Sequence, residues 1–570
     1  MQHHFNKIAL LIFVAVVFVS CTKEIDQEYN PGGATAESLF KTPEGFEAAI
    51  TATYTYNRNL YGKEQGHALL EAGTDIWTNA AFNGSTGVNG IFPNTPLTTY
   101  QGLISDNVWI NTNLWVPCYA AINLCNTGLK YINEAGLSAT RKPSAEAELR
   151  FMRAWYYWHL AEAFGPVNFT LEPTTSMVTT ANRTSVDTIY RQILLDAQFA
   201  AANLPNSNAD YGRVTKPAAE AFLARINLGR GNNQEASNHA ISVIKNYGFS
   251  LLTNYADLWK MSNEKNAEVV WALNYSGNLA LNAGSNVSHS MYLMNYAELP
   301  GMTRDVTNGL DNVRWMPTLF LLNLFDENSD ARYNASFKQA WIANNSNAAS
   351  YPVWTAAEVA QNPALAPLLG QPKFAAGDTA VLITKYPIDD YQQKYTIRYR
   401  YRTYDRDDVY GENGQPKDRF HFISLKKFDD PTRSSATQTE SARNVFLIRL
   451  AEMYLIVAEA QMKMGRLDSA ATYLNAVRAR AALPGKGADM MVAPGSINMD
   501  YILDERAREL AGEQLRWFDL KRSGKLIERV RAHNPDAGAY IQPFHQLRPI
   551  PQAQLDAVTN KGEFKQNTGY

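Results

Sequence analysis

Leu447-Ile448-Arg449-Leu450-Ala451-Glu452-Met453-Tyr454-Leu455-Ile456-Val457-Ala458-Glu459-Ala460 is the stretch on which the fold turns. Its apolar residues recur at helical spacing, and it opens a region from Asn444 to Arg522 that predicts two long helices, a loop around Pro484 to Ser496, and a further helix. Its small residues have counterparts far upstream. Ala458, Gly465 and Ala470 are spaced as are Ala224, Gly231 and Ala236. Small side chains let two helices approach to about 8–10 Å, and a glycine between them suits the turn.

That arrangement is the tetratricopeptide pattern, with small residues where paired helices meet and bulky ones (Leu223, Tyr454, Val457) beside them. Working outward, Asn107 to Phe164 predicts two helices. The first carries Trp115, Tyr119, Ile122 and Leu129, and the second Leu149, Met152, Trp155, Tyr156 and Leu160. Gly165-Pro166 stops the second. Ser185 to Tyr247 predicts three helices, broken near Leu204-Pro205 and at Gly229 to Asn233. Between these lie two stretches of poor periodicity, about 60–101 and 260–435, rich in Asn, Gly, Thr, Tyr and Trp, with short strand-like pieces at Ala380–Thr384 and Tyr395–Tyr401. Long irregular segments inside a compact protein often carry function, and their aromatic content argues against disorder. The expected fold is mostly α: tetratricopeptide-like hairpins form a scaffold (about 105–250 and 440–525) that carries a long irregular, loop-rich insert and minor short strands.

The front end reads as a targeting signal. Lys7 precedes an apolar run from Ile8 to Val19, too short to span a bilayer, and Ser20 stands before Cys21. This resembles a bacterial lipoprotein precursor, in which residues 1–20 are removed and Cys21 is acylated; multiple acyl chains anchor a protein stably. Thr22 to Glu28 is an acidic stretch, and Asn30-Pro31-Gly32-Gly33 a linker, so residues 21–40 form a tether and 41–570 one domain. The 53 basic and 55 acidic residues nearly cancel, and no basic stripe marks a nucleic-acid surface. Cys118 and Cys125, seven apart on one helix, would stand about 10 Å apart, too far for a disulfide.

Four segments carry a family resemblance. Leu447–Ala460 is similar to the "RLAE-x-YL-x-x-AEA" helix of the SusD/RagB family. Asp504-Glu505-Arg506, Glu509-Leu510 and Arg516-Trp517-x-Asp519-Leu520-Lys521-Arg522 resemble that family's "ER-x-x-EL" and "RW-x-DL-x-R" helix. Pro549-Ile550-Pro551 and Gln566-Asn567-x-Gly569-Tyr570 resemble its C-terminus, with Arg548 where a hydrophobic residue is usual. Leu149 to Tyr157, leading to Phe164-Gly165-Pro166-Val167, is also a family pattern. The resemblance implies a lipid-anchored binding protein at the outer membrane, facing the cell exterior. Such a protein captures oligo- or polysaccharide and passes it to a SusC-like TonB-dependent barrel. The alternatives are a peptide-binding lid of such a barrel, or a lipid-anchored glycoside hydrolase using two unrecognised carboxylates.

Signatures of chemistry are sparse. No H-E-x-x-H, G-x-S-x-G or phosphate-loop pattern occurs, and no histidine pair beyond the leader has helix-turn spacing, so neither catalytic residues, a cofactor nor a metal is expected. His159 reads as a satisfied core residue. Glu505, Glu509 and Glu513, four residues apart on one helix among Arg506, Arg508 and Arg516, read as an ion-pair ladder. Asp405, Asp407 and Asp408, beside Arg402 and Arg406, read as a solvated loop. Sugar recognition pairs flat aromatic rings with planar polar groups. That chemistry selects Asp75, Trp77 and Asn79 at the edge of the first irregular stretch, and Tyr292, Tyr296, Arg304 and Trp315 early in the second.

Overall fold

The expected hairpins form, and their turns are built alike. Helix α1 (Pro43–Thr55) begins on Thr42, whose hydroxyl accepts from the Gly45 N–H at 3.2 Å, with Pro43 in the first turn. The principal helices then run α2 (Glu64–Leu70), α3 (Val116–Tyr131), α4 (Arg141–Phe164), α5 (Val186–Asn203), α6 (Lys216–Gly229), α7 (Asn233–Asn246), α8 (Leu450–Lys463), α9 (Leu467–Arg480), α10 (Met499–Leu510), α11 (Arg516–Arg522) and α12 (Leu526–His533). At the α6–α7 turn the Asn232 N–H reaches the Asn227 carbonyl at 2.9 Å. At the α8–α9 turn Arg466 N–H reaches Gln461 in the same way at 2.9 Å. Gly231 (φ 77°) and Gly465 (φ 75°) supply the left-handed residue that this closure requires. Ala224, Ala236, Ala458 and Ala470 are fully buried at the helix contacts. Because α7 packs on α8, the two matched hairpins join, and α4 to α9 form one continuous stack. This computed structural model describes residues 39–81, 95–282, 286–388 and 400–570. The leader, Cys21, most of the tether and residues 395–399 of an expected strand lie outside them.

Buried ion pairs bind the stack. Arg153 grips Asp196 between α4 and α5 at 2.8 and 2.9 Å, and Arg225 grips Glu452 between α6 and α8 at 2.8 and 2.7 Å. Each is a two-point contact that also fixes helix rotation. Cys118 and Cys125 are both free and buried. No described helix is long and apolar enough to cross a membrane.

Two boundaries depart from the sequence reading. Val445–Arg449 is strand β9, paired antiparallel with β2 (Val269–Leu273), so α8 starts only at Leu450. The β-branched and aromatic run there fills a fully buried strand, which periodicity alone does not separate from a helix. The expected Glu505–Arg522 helix is broken instead: α10 ends at Leu510, Gly512 (φ 84°) and Gln514 (φ 59°) turn the chain, and α11 starts at Arg516. Glu513 is therefore off the helix. The Gln514 side chain offsets its strained backbone by accepting from Gly62 N–H (3.0 Å) and donating to the Leu60 carbonyl (3.2 Å).

One rung of the ladder forms, Glu505 with Arg508 at 2.8 Å, and the rest is a cluster. Glu505 and Glu509 meet Arg332 at 2.9 and 3.0 Å. Arg449 reaches Glu268 at 2.7 Å, Glu509 at 3.2 Å and Glu513 at 2.7 Å, and Arg480 spans Glu268 and Glu509. These groups come from β9, α9, α10, the turn after α10 and the irregular half, including Glu268 just before β2, so the cluster welds scaffold to insert. The insert itself holds small sheets: β1 (Trp77–Asn79) with β3 (Trp315–Pro317), β4 (Phe337–Lys338) with β8 (Ser424–Leu425), and β5 (Ala340–Ile342), β6 (Thr379–Ile383) and β7 (Arg402–Tyr404), with β6–β7 parallel.

Candidate functional site

The sequence-selected residues come together, but inside the protein. Asp75, Trp77, Asn79, Tyr292, Tyr296 and Trp315 are between 0% and 2% exposed. The β1–β3 pairing sets Asn79 opposite Trp315 and Trp77 opposite Pro317. Around it Trp77 meets Tyr292 with ring centroids 4.6 Å apart, and Tyr292 meets Trp315 at 5.6 Å. Their polar atoms are engaged internally: Trp77 indole N–H donates to Glu71 (3.1 Å), Tyr292 hydroxyl bonds His67 (2.9 Å), and Asn79 accepts from Thr98 (2.7 Å). Asp75 receives Arg516 at 2.7 and 2.5 Å and Arg529 at 2.8 Å. Burial alone would raise its pKa; the two guanidiniums reverse that and hold it at about 2. Tyr296 stacks on Trp341 at 4.4 Å and donates to the Gly309 carbonyl at 2.6 Å. Arg304 alone reaches solvent, and it pairs with Asp311 at 2.6 Å. These aromatics are core of the insert, because a short strand pair covered on both faces buries every side chain it carries.

An open cleft lies further along the insert, lined by Arg402, Thr403, Tyr404, Asp408 and Asp418. Strand β7 delivers Arg402 to Tyr404. Asp405 then caps the following short helix, accepting from Asp407 and Asp408 N–H at 3.1 and 3.2 Å, while Asp408 reaches back to the Asp405 N–H at 3.0 Å. Asp405 is thus a buried cap, not part of a solvated loop. Opposite, Asp418 folds its own segment, accepting from Phe420 and His421 N–H at 2.8 and 3.1 Å and holding His421 Nδ1 at 2.7 Å. His421 lies flat on Tyr404, centroids 4.6 Å apart and planes 10° from parallel, and the Arg402 guanidinium sits 4.8 Å from the Tyr404 centroid. Phe420 is 37% exposed beside them. The segment is pinned to both irregular stretches, since Ala81 N–H donates to the Arg419 carbonyl (2.9 Å) and Asn295 N–H to the Phe420 carbonyl (2.9 Å).

Chemically the cleft sets the Arg402 guanidinium and Tyr404, which His421 backs, beside two carboxylates. Burial would raise Asp418, but the His421 hydrogen bond and charge hold it below the usual carboxylate range, so it is an ionised acceptor. Asp408 and Arg402 had been grouped from sequence; Tyr404, Asp418, Phe420 and His421 had not, because the stack joins residues seventeen apart. Among the described residues, no cluster of His, Cys, Asp and Glu could hold a metal. His159 is internally satisfied, bonded to Tyr61 hydroxyl at 2.9 Å and the Trp155 carbonyl at 2.8 Å.

Fold and cleft together define a class: a helical-repeat scaffold bearing an irregular, cleft-forming half. The family described as "SusD family" matches residues 267–570, and one described as "Starch-binding associating with outer membrane" matches residues 69–228. The chain belongs to the SusD family. A SusD-like protein of Formosa agariphila is 26% identical over 567 residues, covering 96% of each chain. The starch-binding protein SusD of Bacteroides thetaiotaomicron is 24% identical over 466 residues, covering 76% of this chain and 74% of its own. Among solved structures, a laminarin-binding SusD-like protein superposes with TM-score 0.66 at 22% identity, covering 93% of this chain and all of its own. Surface glycan-binding protein A of Bacteroides thetaiotaomicron, in complex with laminarihexaose, gives 0.64 at 19% identity, with 92% and 99% covered.

Proposed function

We propose that this protein is a surface glycan-binding lipoprotein. Acyl chains on Cys21 hold it to the outer membrane, it captures oligo- or polysaccharide, and it delivers that ligand to a SusC-like TonB-dependent barrel. The observation that carries the binding role is the lining of one open cleft by Arg402, Tyr404, Asp408 and Asp418, with His421 stacked on Tyr404 and the exposed Phe420 next to it in the chain. The exposed Phe420 ring offers a face for sugar C–H groups, carboxylates accept hydroxyl protons, and the guanidinium donates. Relatives named for starch and laminarin binding support the ligand class.

Affinity electrophoresis across a polysaccharide panel tests this reading. Phe420→Ala and Arg402→Ala alter exposed side chains and should spare the fold, yet each should weaken retention by about tenfold, the size of one lost ring or charged contact. Unchanged retention in both variants, or no retention of the unsubstituted protein by any polysaccharide, would refute the cleft or the ligand class respectively. Cys21→Ser should release the protein from washed envelopes.

A further inference from the structure

A second open cleft, of about 360 Å³, lies where α1, the turn before α6 and the chain at the end of β2 converge. Its size falls in the range of small-molecule sites. Tyr54 and Tyr211 contribute rings to its walls, both locked by their hydroxyls: Tyr54 donates to Glu148 at 2.7 Å and Tyr211 to the Glu264 carbonyl at 2.9 Å. Leu273 and Leu281 add apolar surface.

Two arginines line this cleft, and their situations differ. Arg213 is compensated, with Glu148 at 3.0 Å and Glu47 at 3.4 Å, and its remaining edge donates to Thr51 at 3.0 Å. Arg58 is fixed but not compensated. Its Nε and Nη2 donate to the Asn274 carbonyl at 3.2 and 2.8 Å, its Nη1 donates to the Leu281 carbonyl at 3.2 Å, and it lies 5.4 Å from the Tyr275 ring centroid. All of those partners are neutral, and among the described residues no carboxylate lies within ion-pair reach. By contrast Arg153, Arg225, Arg332, Arg449 and Arg480 each face a carboxylate. A guanidinium has five N–H donors, so two remain on a side chain already held in place. Its charge is felt nearby: burial and Arg58 together bring the Lys63 ammonium down to about 8. The cleft's one lining carboxylate, Asp210, is 76% exposed and leans toward Arg213 at 3.5 Å.

We propose that this cleft is a second binding site, for a carboxylate-bearing saccharide, in which Arg58 takes the carboxylate and Tyr54 and Tyr211 face the sugar ring. The anion preference follows from the uncompensated guanidinium. The saccharide class rests on the function proposed above. An ordered cation with spare donors binds an anion without the entropy cost of immobilising its own chain, which is the advantage of preorganisation.

Calorimetry on the mature chain tests this with tetrasaccharides of galacturonate, mannuronate and guluronate, beside a neutral polysaccharide that the protein retains. At least one uronate should bind, more weakly as salt rises. Arg58→Gln should reduce that affinity about tenfold or more, as expected for a lost charge-assisted contact, and Arg58→Lys should lose less. Arg402→Ala should leave uronate binding intact while weakening the neutral ligand, and Arg58→Gln should do the reverse. Melting temperatures of the variants report any loss of fold. Uronate affinity unchanged in Arg58→Gln, or no uronate bound by the unsubstituted chain, overturns this site while leaving the insert cleft standing. Loss of both ligand types in the unsubstituted chain overturns the functional reading instead.

Discussion

Arg449 shows how much a single residue does here. It is almost fully buried at the end of β9, and every guanidinium nitrogen is committed: Nε to Glu513, Nη1 to Glu268 and Glu509, Nη2 to Glu513 and the Glu509 carbonyl. A buried pair as a whole adds little net stability over an apolar substitute, but removing one partner leaves a desolvated charge. Arg449→Met should therefore cost about 3–5 kcal/mol in denaturant unfolding. A loss below about 1 kcal/mol would mean that Arg332, Arg480 and Lys427 compensate the same carboxylates unaided. The same residue marks a limit of reading side chains from sequence. The alternation of Glu and Arg near residue 509 announced ion pairs, yet their partners Glu268, Arg332 and Arg449 are distant in the chain. Asp75 fails for a related reason. An Asp, a Trp and an Asn in a row have the composition of a sugar site, and nothing local discloses that Arg516 and Arg529 close over the Asp.

At the scale of elements, the matched hairpins were legible because their determinants are local: small residues at fixed spacing and a glycine that must be left-handed. Gly465 illustrates how specific that demand is. A Cβ added there meets no atom within 4 Å, so Gly465→Ala should cost only the backbone strain of φ 75°, about 1–2 kcal/mol. Gly66, inside α2, is the opposite case: its φ is ordinary, but a Cβ would sit 1.6 Å from the Leu60 carbonyl oxygen. Gly66→Ala should be the more damaging of the two in thermal melts, and an equal or reversed ranking would show that the Leu60 segment can move aside. What was not legible was β9. Phe446 to Ile448 are as apolar as the helix they precede, and only pairing with β2, nearly two hundred residues away, makes them a strand.

For the whole molecule, scaffold and insert are divided by regularity: the helical half could be drawn in advance because its hairpins repeat one local pattern, whereas the cleft, though built within residues 402–421, follows no periodicity. The division also shapes the pH response. Four buried histidines, His67, His159, His289 and His545, are depressed by desolvation to about 3, 3, 4 and 4. Each favours the folded state above its unfolded value of about 6.5, and that contribution drains away as pH falls toward the folded value. Burial pushes Glu71 and Glu264 up to about 7 and Asp429 to about 6, so these three work oppositely, gaining stability as pH falls from about 7 to about 4. Over that window the histidines outweigh the raised carboxyls, since four groups lose stability while three regain it. Below it nothing compensates, because Asp75 and Glu459, held at about 2 against burial by their arginines, and Glu505 and Glu509, held low by the cluster, lose their share as they protonate. The melting temperature should therefore decline gently from about pH 6.5 to pH 4.5 and fall steeply below pH 4. A level curve from pH 7 to pH 4.5 would mean that the raised carboxyls fully balance the histidines. A level curve down to pH 3 would mean that the arginine-bound carboxylates contribute nothing to holding insert and scaffold together.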